Sequence, residues 1–207
     1  IGATADLVDS DLVPVLEGLH EERMSFVMNA NSAVDLAVVA EEAARGLSED
    51  SQLIVLLKQV FSQHGVPAEL VWVGDVESAF DPHATSHKGA VGVFQLMPET
   101  AEFLGLKTGF DDERTDPELS AQAAARYLAY LHERFGCWEL SLAAYNAGET
   151  RVARLLRRHR VASFHAIAAD LPRETRRYVP KVDRLIRLKE EIGLDQLPAP
   201  TATDWQS

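Results

Sequence analysis

Apolar residues recur with helical spacing through most of this chain of 207 residues. Side chains three and four positions apart share one face of an α-helix, so this spacing predicts amphipathic helices. Proline at a first turn and glycine after the last apolar position divide the pattern into segments. The predicted helices are a loose lead-in over 1–31, then 31–46, 48–64, 67–80, 98–104, 116–135, 138–147, 150–160, 164–169 and 172–192.

One short run has β-forming rather than helical character. Residues 91–95 read Val-Gly-Val-Phe-Gln between Gly- and Pro-containing breaks, which predicts a short strand. The tail from Leu197 is rich in proline and polar residues, which predicts a linker or a frayed end. The pattern as a whole predicts a mostly helical fold with one small β element.

The helix predicted just before that run carries a carboxylate on its apolar side. At 100° per residue, Glu77 falls among Leu70, Val73, Val76 and Phe80. A carboxylate there is costly unless it is protonated or hydrogen-bonded. Desolvation raises a carboxyl pKa, which suits a general acid near neutral pH. A buried glutamate paired with an arginine is the competing interpretation.

A Ser- and Gly-rich loop follows this helix. Ser86 and the glycines of residues 89–92 provide small, flexible backbone beside Glu77, where a sugar or a peptide could approach closely. Gln95 offers an amide that both donates and accepts hydrogen bonds. Met97 offers a soft apolar contact, although a methionine is by itself more often a core residue.

The charge is unevenly distributed within a composition that is otherwise ordinary for a globular protein. The net charge is −12, with 46% hydrophobic and 25% charged residues. Residues 1–147 carry 24 acidic and 8 basic side chains, whereas residues 148–207 carry 8 acidic and 12 basic ones. An acidic main body argues against a general nucleic-acid binder. The basic part either faces an acidic ligand or the acidic N-terminal half, or forms solvated helix faces.

Neither a metal site nor a catalytic thiol is favoured by the sequence. His83 and His87 have the spacing of zinc ligands on a helix, but Pro82 and Gly89 argue against a helix there. Cys137 is the single cysteine, and a small, semi-buried side chain is the simpler interpretation of it. We therefore expect no metal and no cofactor.

Three segments carry four motifs in an order that resembles a known family. They are ESAFDPHATSHKGAVGVFQLMPETA from Glu77 to Ala101, AYNAG from Ala144 to Gly148, and RETRRYVPKV from Arg173 to Val182. In order and spacing these segments resemble the family 23 soluble-type (SLT-domain) lytic transglycosylases. The wording ESAFDPHA is most similar to the membrane-bound type D subgroup. The resemblance covers roughly residues 65–190, and the first 60 residues carry no recognised motif.

The resemblance implies a mostly α, lysozyme-like α+β fold. It places the catalytic domain at 65–192, after an N-terminal helical extension over 1–64 and before a tail or linker over 193–207. It implies that Glu77 is the sole catalytic acid and base. Carried over by motif, the substrate-binding positions are Ser86, Gln95, Met97, Tyr145, Asn146 and Tyr178. The arginines at 151–160 could hold the carboxylates of the stem peptide, with solvated faces as the alternative.

The implied reaction is cleavage of the N-acetylmuramic acid–β-1,4–N-acetylglucosamine bond of peptidoglycan. A two-carboxylate mechanism needs a second acid. Asp75 lies about 200° round the helix from Glu77, and Asp81 is better placed as a cap or turn residue. Attack by the muramic C6 hydroxyl, giving a 1,6-anhydro product, is therefore the main hypothesis. The alternatives are a lysozyme-type hydrolase, which could act on deacetylated glycan, and a glycan-binding protein with a dead site.

Partners and location follow from the same resemblance. We expect peptidoglycan glycan strands as the partner, no nucleic acid, and a monomer in the periplasm or cell envelope of a bacterium. No apolar run approaches the roughly 20 residues that span a bilayer. Ile1 is not an initiator methionine, so we expect a mature or trimmed form. A signal segment or outer-membrane anchor would then lie outside the chain.

Overall fold

The computed structural model describes residues 49–201, with side chains from residue 51 onward. The helices predicted over 1–31 and 31–46 lie outside the described residues. The chain divides into two compact units, Ile1–Gln52 and Leu53–Ser207, and the features below, apart from the first residues of α1, belong to the second.

Eight α-helices form in the described part of the chain, which confirms the mostly helical fold. They are α1 Glu49–Gln63, α2 Trp72–Ser78, α3 Pro98–Phe103, α4 Pro117–Phe135, α5 Trp138–Ala147, α6 Glu149–His159, α7 Phe164–Ile167 and α8 Arg173–Glu190. Short 3-10 turns lie at Ala68–Val71, Glu113–Thr115, Ala168–Asp170 and Leu194–Gln196. Among the described helices, none is long and apolar enough to cross a membrane.

Helix α5 is the centre of the packing. It contacts α4, α6 and α8, and α8 in turn packs against α2. The buried face of α4 is rich in alanine, and these small side chains let the two helix backbones approach closely. Leu140 and Leu142 of α5 are fully buried, each contributing about 1.5–3 kcal/mol of burial free energy. Trp72 and Trp138 also lie in this core.

Helix α2 ends at Ser78, two residues earlier than the sequence pattern predicts. Ala79 and Phe80 both adopt left-handed backbone, with φ of 55° and 61°. This reversal turns the Phe80 ring back onto the helix, where it lies edge-on to Trp72 at a centroid distance of 5.9 Å. The Asp81 carboxylate then accepts a hydrogen bond from the His83 peptide N–H, as expected for a turn residue.

Residues 91–95 form a tight turn, so the prediction of a strand there is wrong. Isolated antiparallel bridges pair Val91 with Thr85 and with Leu96, but no ladder extends from them. Gly92 and Gln95 have positive φ, of 83° and 47°, which breaks the alternation that a strand requires. The apolar side chains of the run are buried in a turn rather than in a sheet.

The chain from Leu194 to Thr201 packs where the sequence indicated a frayed end. Leu197 is buried, and the Trp138 indole N–H donates to the Pro198 carbonyl at 3.0 Å. The Thr201 peptide N–H donates to the Gly65 carbonyl at 2.9 Å. These contacts join the segment to the helical core.

Candidate active site

Glu77 lies in the last turn of α2 and is half-buried. Burial raises the pKa of its carboxyl to about 7, because water no longer solvates the charged form fully. The Tyr178 hydroxyl acts against this shift by hydrogen bonding to the charged form. The charge of Glu174 raises the pKa further, and that of Lys181 lowers it. The carboxyl is therefore poised to hold or release a proton near neutral pH.

Helix α2 is fixed against the loop that follows it. The Ser78 hydroxyl donates to the Val93 carbonyl at 2.8 Å, which ties the end of the helix to the turn over 91–96. A Cβ atom on Gly74 would lie 2.9 Å from a methyl group of Val93 and about 3 Å from the Phe80 ring. A glycine is thus required where helix and loop approach each other, one turn before Glu77.

Helix α8 carries the motif Arg173–Val182, the fourth in chain order, and packs against α2. Tyr178 is buried, and within residues 49–201 its hydroxyl makes no hydrogen bond of ordinary distance and angle. Its interaction with Glu77 is thus a loose one, of the kind that a bound substrate can tighten. Burial, with the charge of Glu77 close by, raises the pKa of Tyr178 well above its usual value, so the hydroxyl stays a donor.

The third motif in chain order, Ala144–Gly148, bonds both to the loop after α2 and to α8. The Tyr145 hydroxyl donates to the Phe94 carbonyl at 2.7 Å, linking α5 to the loop. Burial and the Glu77 charge raise the pKa of Tyr145 well above its usual value, which places the phenol within electrostatic reach of the acid. The Asn146 side-chain oxygen accepts a hydrogen bond from the Thr175 hydroxyl at 2.8 Å, linking α5 to α8.

The other three predicted substrate positions lie on the loop and bond within it. The Ser86 hydroxyl accepts hydrogen bonds from the peptide N–H groups of Ala90 and Lys88. The Gln95 amide nitrogen donates to the carbonyls of Ala84 and Gly92, at 3.0 and 2.9 Å. The Met97 side chain is exposed at the start of α3.

None of these three side chains is hydrogen-bonded to Glu77 within the described residues. Their roles in substrate binding stay predictions. The structure thus brings Tyr145 and Tyr178 close to Glu77, places Asn146 beside them on α5, and gives Ser86 and Gln95 a part in shaping the loop.

Arg114 is a residue of this site that the sequence pattern did not reveal. It lies between the helices predicted over 98–104 and 116–135, in an acidic segment, yet its side chain is buried. Its guanidinium pairs with the Asp112 carboxylate at 2.6 Å. It also donates to the carbonyls of Gly89 and Leu96, both at 2.9 Å. One side chain therefore fixes both ends of the loop over 89–96.

Gly92 packs against the backbone of Arg114. A Cβ atom added to it would lie 1.9 Å from the Arg114 carbonyl oxygen, so no larger residue fits. The sequence indicated that this glycine lets a ligand approach. The structure instead shows that its own chain fills the space.

A row of aromatic rings leads away from Tyr145. Its ring centroid lies 5.6 Å from that of Tyr127, which stacks with Tyr130 at 6.2 Å. Phe103 of α3 contacts Tyr130 at 6.2 Å and is largely exposed. Aromatic faces of this kind suit the apolar faces of sugar rings.

The remaining candidates from the sequence have no catalytic geometry. His83 and His87 are exposed in the loop, outside any helix. In the part of the chain that the structure describes, no cluster of three or more His, Cys, Asp or Glu residues could hold a metal ion. Cys137 precedes α5, and burial raises the pKa of its thiol, which disfavours the reactive thiolate.

Known proteins resemble this chain over much of its length. Residues 58–167 match the family described as the transglycosylase SLT domain. The membrane-bound lytic murein transglycosylase D of Escherichia coli strain K12 is 34% identical over 174 residues, which cover 82% of this chain and 36% of that protein. The peptidoglycan transglycosylase gp16 of Escherichia phage T7 is 42% identical over 101 residues, covering 47% of this chain and 8% of that protein.

Solved structures show the same fold. The 70-kDa soluble lytic transglycosylase SLT70 of Escherichia coli superposes with a TM-score of 0.57 at 24% identity. That match covers 96% of this chain and 40% of the other. The chain thus spans little more than a third of the length of the transglycosylase D that it matches. Because the family match extends over more than half of the sequence, the chain belongs to the transglycosylase SLT domain family.

Proposed function

We propose that this chain is the catalytic part of a peptidoglycan lytic transglycosylase that cleaves the N-acetylmuramic acid–β-1,4–N-acetylglucosamine bond. The observation that carries the proposal is a half-buried Glu77, whose pKa burial raises to about 7, within electrostatic reach of two tyrosines of the family's own motifs. The relatives that it matches are themselves named as murein or peptidoglycan transglycosylases.

In the first step, protonated Glu77 gives its proton to the glycosidic oxygen as the bond to C1 of the muramic sugar breaks. A carboxyl pKa near 7 keeps a large protonated fraction at neutral pH, as a general acid requires. Positive charge develops at C1, and the acetamido oxygen of the same sugar is the group that we expect to stabilise it.

In the second step, the Glu77 carboxylate takes the proton of the muramic C6 hydroxyl while that oxygen bonds to C1. The product is a 1,6-anhydro sugar, water is not consumed, and Glu77 returns to its protonated form. The Tyr178 hydroxyl donates to the carboxylate that exists between the two steps, a charge that the free enzyme holds only partly.

A lysozyme-type hydrolase is the rival, and one observation speaks for it. Glu174 lies near enough to Glu77 to raise its pKa, so it is a second carboxylate at the site. Its side chain is 71% exposed, however, and faces Lys88 at 3.9 Å, which suits a surface charge better than a buried nucleophile. Under the hydrolase mechanism Glu174→Gln abolishes turnover, whereas under the proposed mechanism it only shifts the pH profile.

The direct test is Glu77→Gln, assayed by release of dye from labelled sacculi. We expect loss of turnover by at least about 100-fold, since the amide can neither donate nor accept the transferred proton. Asp75→Asn is the matched control, because it removes a carboxylate from the same helix and should retain activity. Circular dichroism checks that both variants fold. Turnover near that of the wild type in Glu77→Gln would reject the proposal.

The partner and the location of the enzyme follow from the same proposal. Glycan strands of peptidoglycan are the proposed partner, and the cell envelope is the proposed location. We propose residues 65–192 as the catalytic domain, acting as a monomer. Part of α1 contributes to its core through Leu57, Val60 and Phe61.

A further inference from the structure

A cavity of about 380 Å³ lies where α5 ends and α6 begins. Its lining residues come from α4 and from the junction directly after the third motif. They are Tyr127, Ala147, Gly148, Glu149, Thr150, Arg151 and Arg154. The rim is exposed at Thr150, Arg151 and Arg154, whereas Tyr127 is half-buried. Two arginines therefore share this cavity at positions i and i+3, which lie on one face of α6.

The charge of this cavity is positive. Within residues 51–201, neither Arg151 nor Arg154 forms an ion pair. The one carboxylate of the lining, Glu149, lies 3.4 Å from the Arg134 guanidinium, which balances its charge. Among the described residues no side chain caps the first turn of α6, so the positive end of the helix dipole adds to this potential.

A second cavity, of about 280 Å³, contains an arginine whose charge is balanced by carboxylates of the chain. Its arginine, Arg187, is bonded to both Asp183 and Asp195, at 2.9 and 2.6 Å. Its guanidinium is therefore already occupied by carboxylates of the chain. The guanidinium groups of Arg151 and Arg154 remain available for a carboxylate from outside.

The positive cavity adjoins the candidate active site. The ring of Tyr127 is 5.6 Å from that of Tyr145, which lies within electrostatic reach of Glu77. Under the proposed function, a muramic sugar lies at Glu77 and carries a peptide. An extended peptide spans roughly 3.3–3.6 Å per residue, so its first two or three residues reach about 10 Å from the sugar.

We propose that Arg151 and Arg154 bind a carboxylate of the peptide attached to the muramic acid of the substrate. A guanidinium donates two parallel N–H groups to a carboxylate, which gives both affinity and orientation. This inference rests on the proposed function and names a peptide-recognition site for it. A free lactyl carboxylate on a peptide-free strand offers the same chemistry, but it lies on the sugar itself.

The test compares peptide-bearing glycan strands with strands from which an amidase has removed the peptides. In the double variant Arg151→Gln/Arg154→Gln, we expect the preference in kcat/KM for peptide-bearing strands to fall roughly 10- to 100-fold, mainly through KM. Turnover of peptide-free strands should stay near that of the wild type. Arg157→Gln/Arg158→Gln is the matched control, because these exposed arginines of α6 do not line the cavity.

Each outcome decides between the two proposals. An unchanged preference in the double variant would overturn the peptide site and leave the lytic reaction standing. An equal loss on both kinds of strand would point to the lactyl carboxylate or the sugar and would also overturn the peptide site. A wild-type protein that cleaves neither strand would overturn the proposed function, and the peptide site with it.

Discussion

Two segments meet α2 on either side of Glu77, and they are built in different ways. The loop wall, residues 79–97, is held by bonds to its own backbone, by Ser78 and by the buried guanidinium of Arg114. The α8 wall, residues 173–182, instead carries Glu174, Tyr178 and Lys181, which act on the charge of the carboxyl.

The two walls therefore have different roles: one fixes the position of the Glu77 carboxyl, and the other affects its protonation. The loop wall determines where α2 and its carboxyl lie, so damage to it should lower stability and reduce activity at every pH. Burial sets most of the raised pKa of Glu77, and the α8 wall adjusts it through Tyr178, Glu174 and Lys181. Changes in the α8 wall should therefore move the pH profile while the fold is kept. Each of the following variants tests one side of this division.

The largest effect is expected from Arg114→Met. Removing the guanidinium leaves the Asp112 carboxylate without its buried partner and takes away the side-chain donor to the Gly89 carbonyl. The Leu96 carbonyl keeps only its bond from the Val91 peptide N–H. Breaking such a buried pair costs about 3–5 kcal/mol in the free energy of unfolding, which denaturant titration measures. Lys107→Met is the control, since its exposed pair with Glu113 should matter little. Equal stabilities for the two variants would show that Arg114 does not hold the loop wall.

The next largest effect is expected from replacing Tyr178, and replacing Tyr145 provides the comparison. Tyr178→Phe removes the hydroxyl whose loose interaction with Glu77 lowers the pKa of that carboxyl, so the basic limb of kcat/KM should move to higher pH. Loss of a donor to the carboxylate should also reduce kcat by about 10- to 100-fold. Tyr145→Phe removes the bond to the Phe94 carbonyl, which should cost about 1 kcal/mol of stability. A pH shift in Tyr145→Phe, or none in Tyr178→Phe, would contradict the division.

A third prediction concerns the stability cost of the catalytic carboxyl. The folded state holds the Glu77 proton up to a pKa of about 7, whereas the ordinary pKa of a glutamate is 4.5. The folded protein thus binds more protons between these values, so the wild type loses stability as the pH rises through this range. Glu77→Gln lacks this loss and should gain roughly 3 kcal/mol relative to the wild type between pH 4 and pH 8. Parallel stability curves would show that burial does not perturb this carboxyl.

The smallest effects should come from the exposed charges of the α8 wall. Glu174→Gln should lower the pKa of Glu77 and Lys181→Met should raise it, so the basic limb of kcat/KM moves in opposite directions. Salt screens exposed charges, and added salt should therefore shrink both shifts. Stability should barely change in either variant. Shifts of the same sign would mean that these charges do not act on Glu77 directly.

The sequence predicts the α8 wall far better than the loop wall. Tyr178, Tyr145 and Asn146 lie in short motifs on well-patterned helices, and Glu77 stands out because it interrupts an apolar helix face. Arg114 could not be found in this way, since its acceptors lie 25 and 18 residues away along the chain. Its only signal is an arginine within an otherwise acidic turn.

The missed turn over 91–95 has a related cause. Its residues have strand propensity, but the Gln95 side chain donates to the Gly92 and Ala84 carbonyls and stabilises positive φ instead. Thr175 was missed because a threonine within a basic helix gives no hint of its bond to Asn146. Side-chain hydrogen bonds decide both cases, within the loop for Gln95 and between two helices for Thr175, and helical periodicity carries no information about them.

The central claim is that Glu77 acts alone and passes a proton between two sugar oxygens without water. The most direct test is digestion of sacculi in ¹⁸O-enriched water, followed by mass spectrometry of the released fragments. We predict anhydro-muramyl ends, lighter by one water than reducing ends and free of ¹⁸O. Reducing ends that carry ¹⁸O would show that water attacks C1, and would contradict this mechanism.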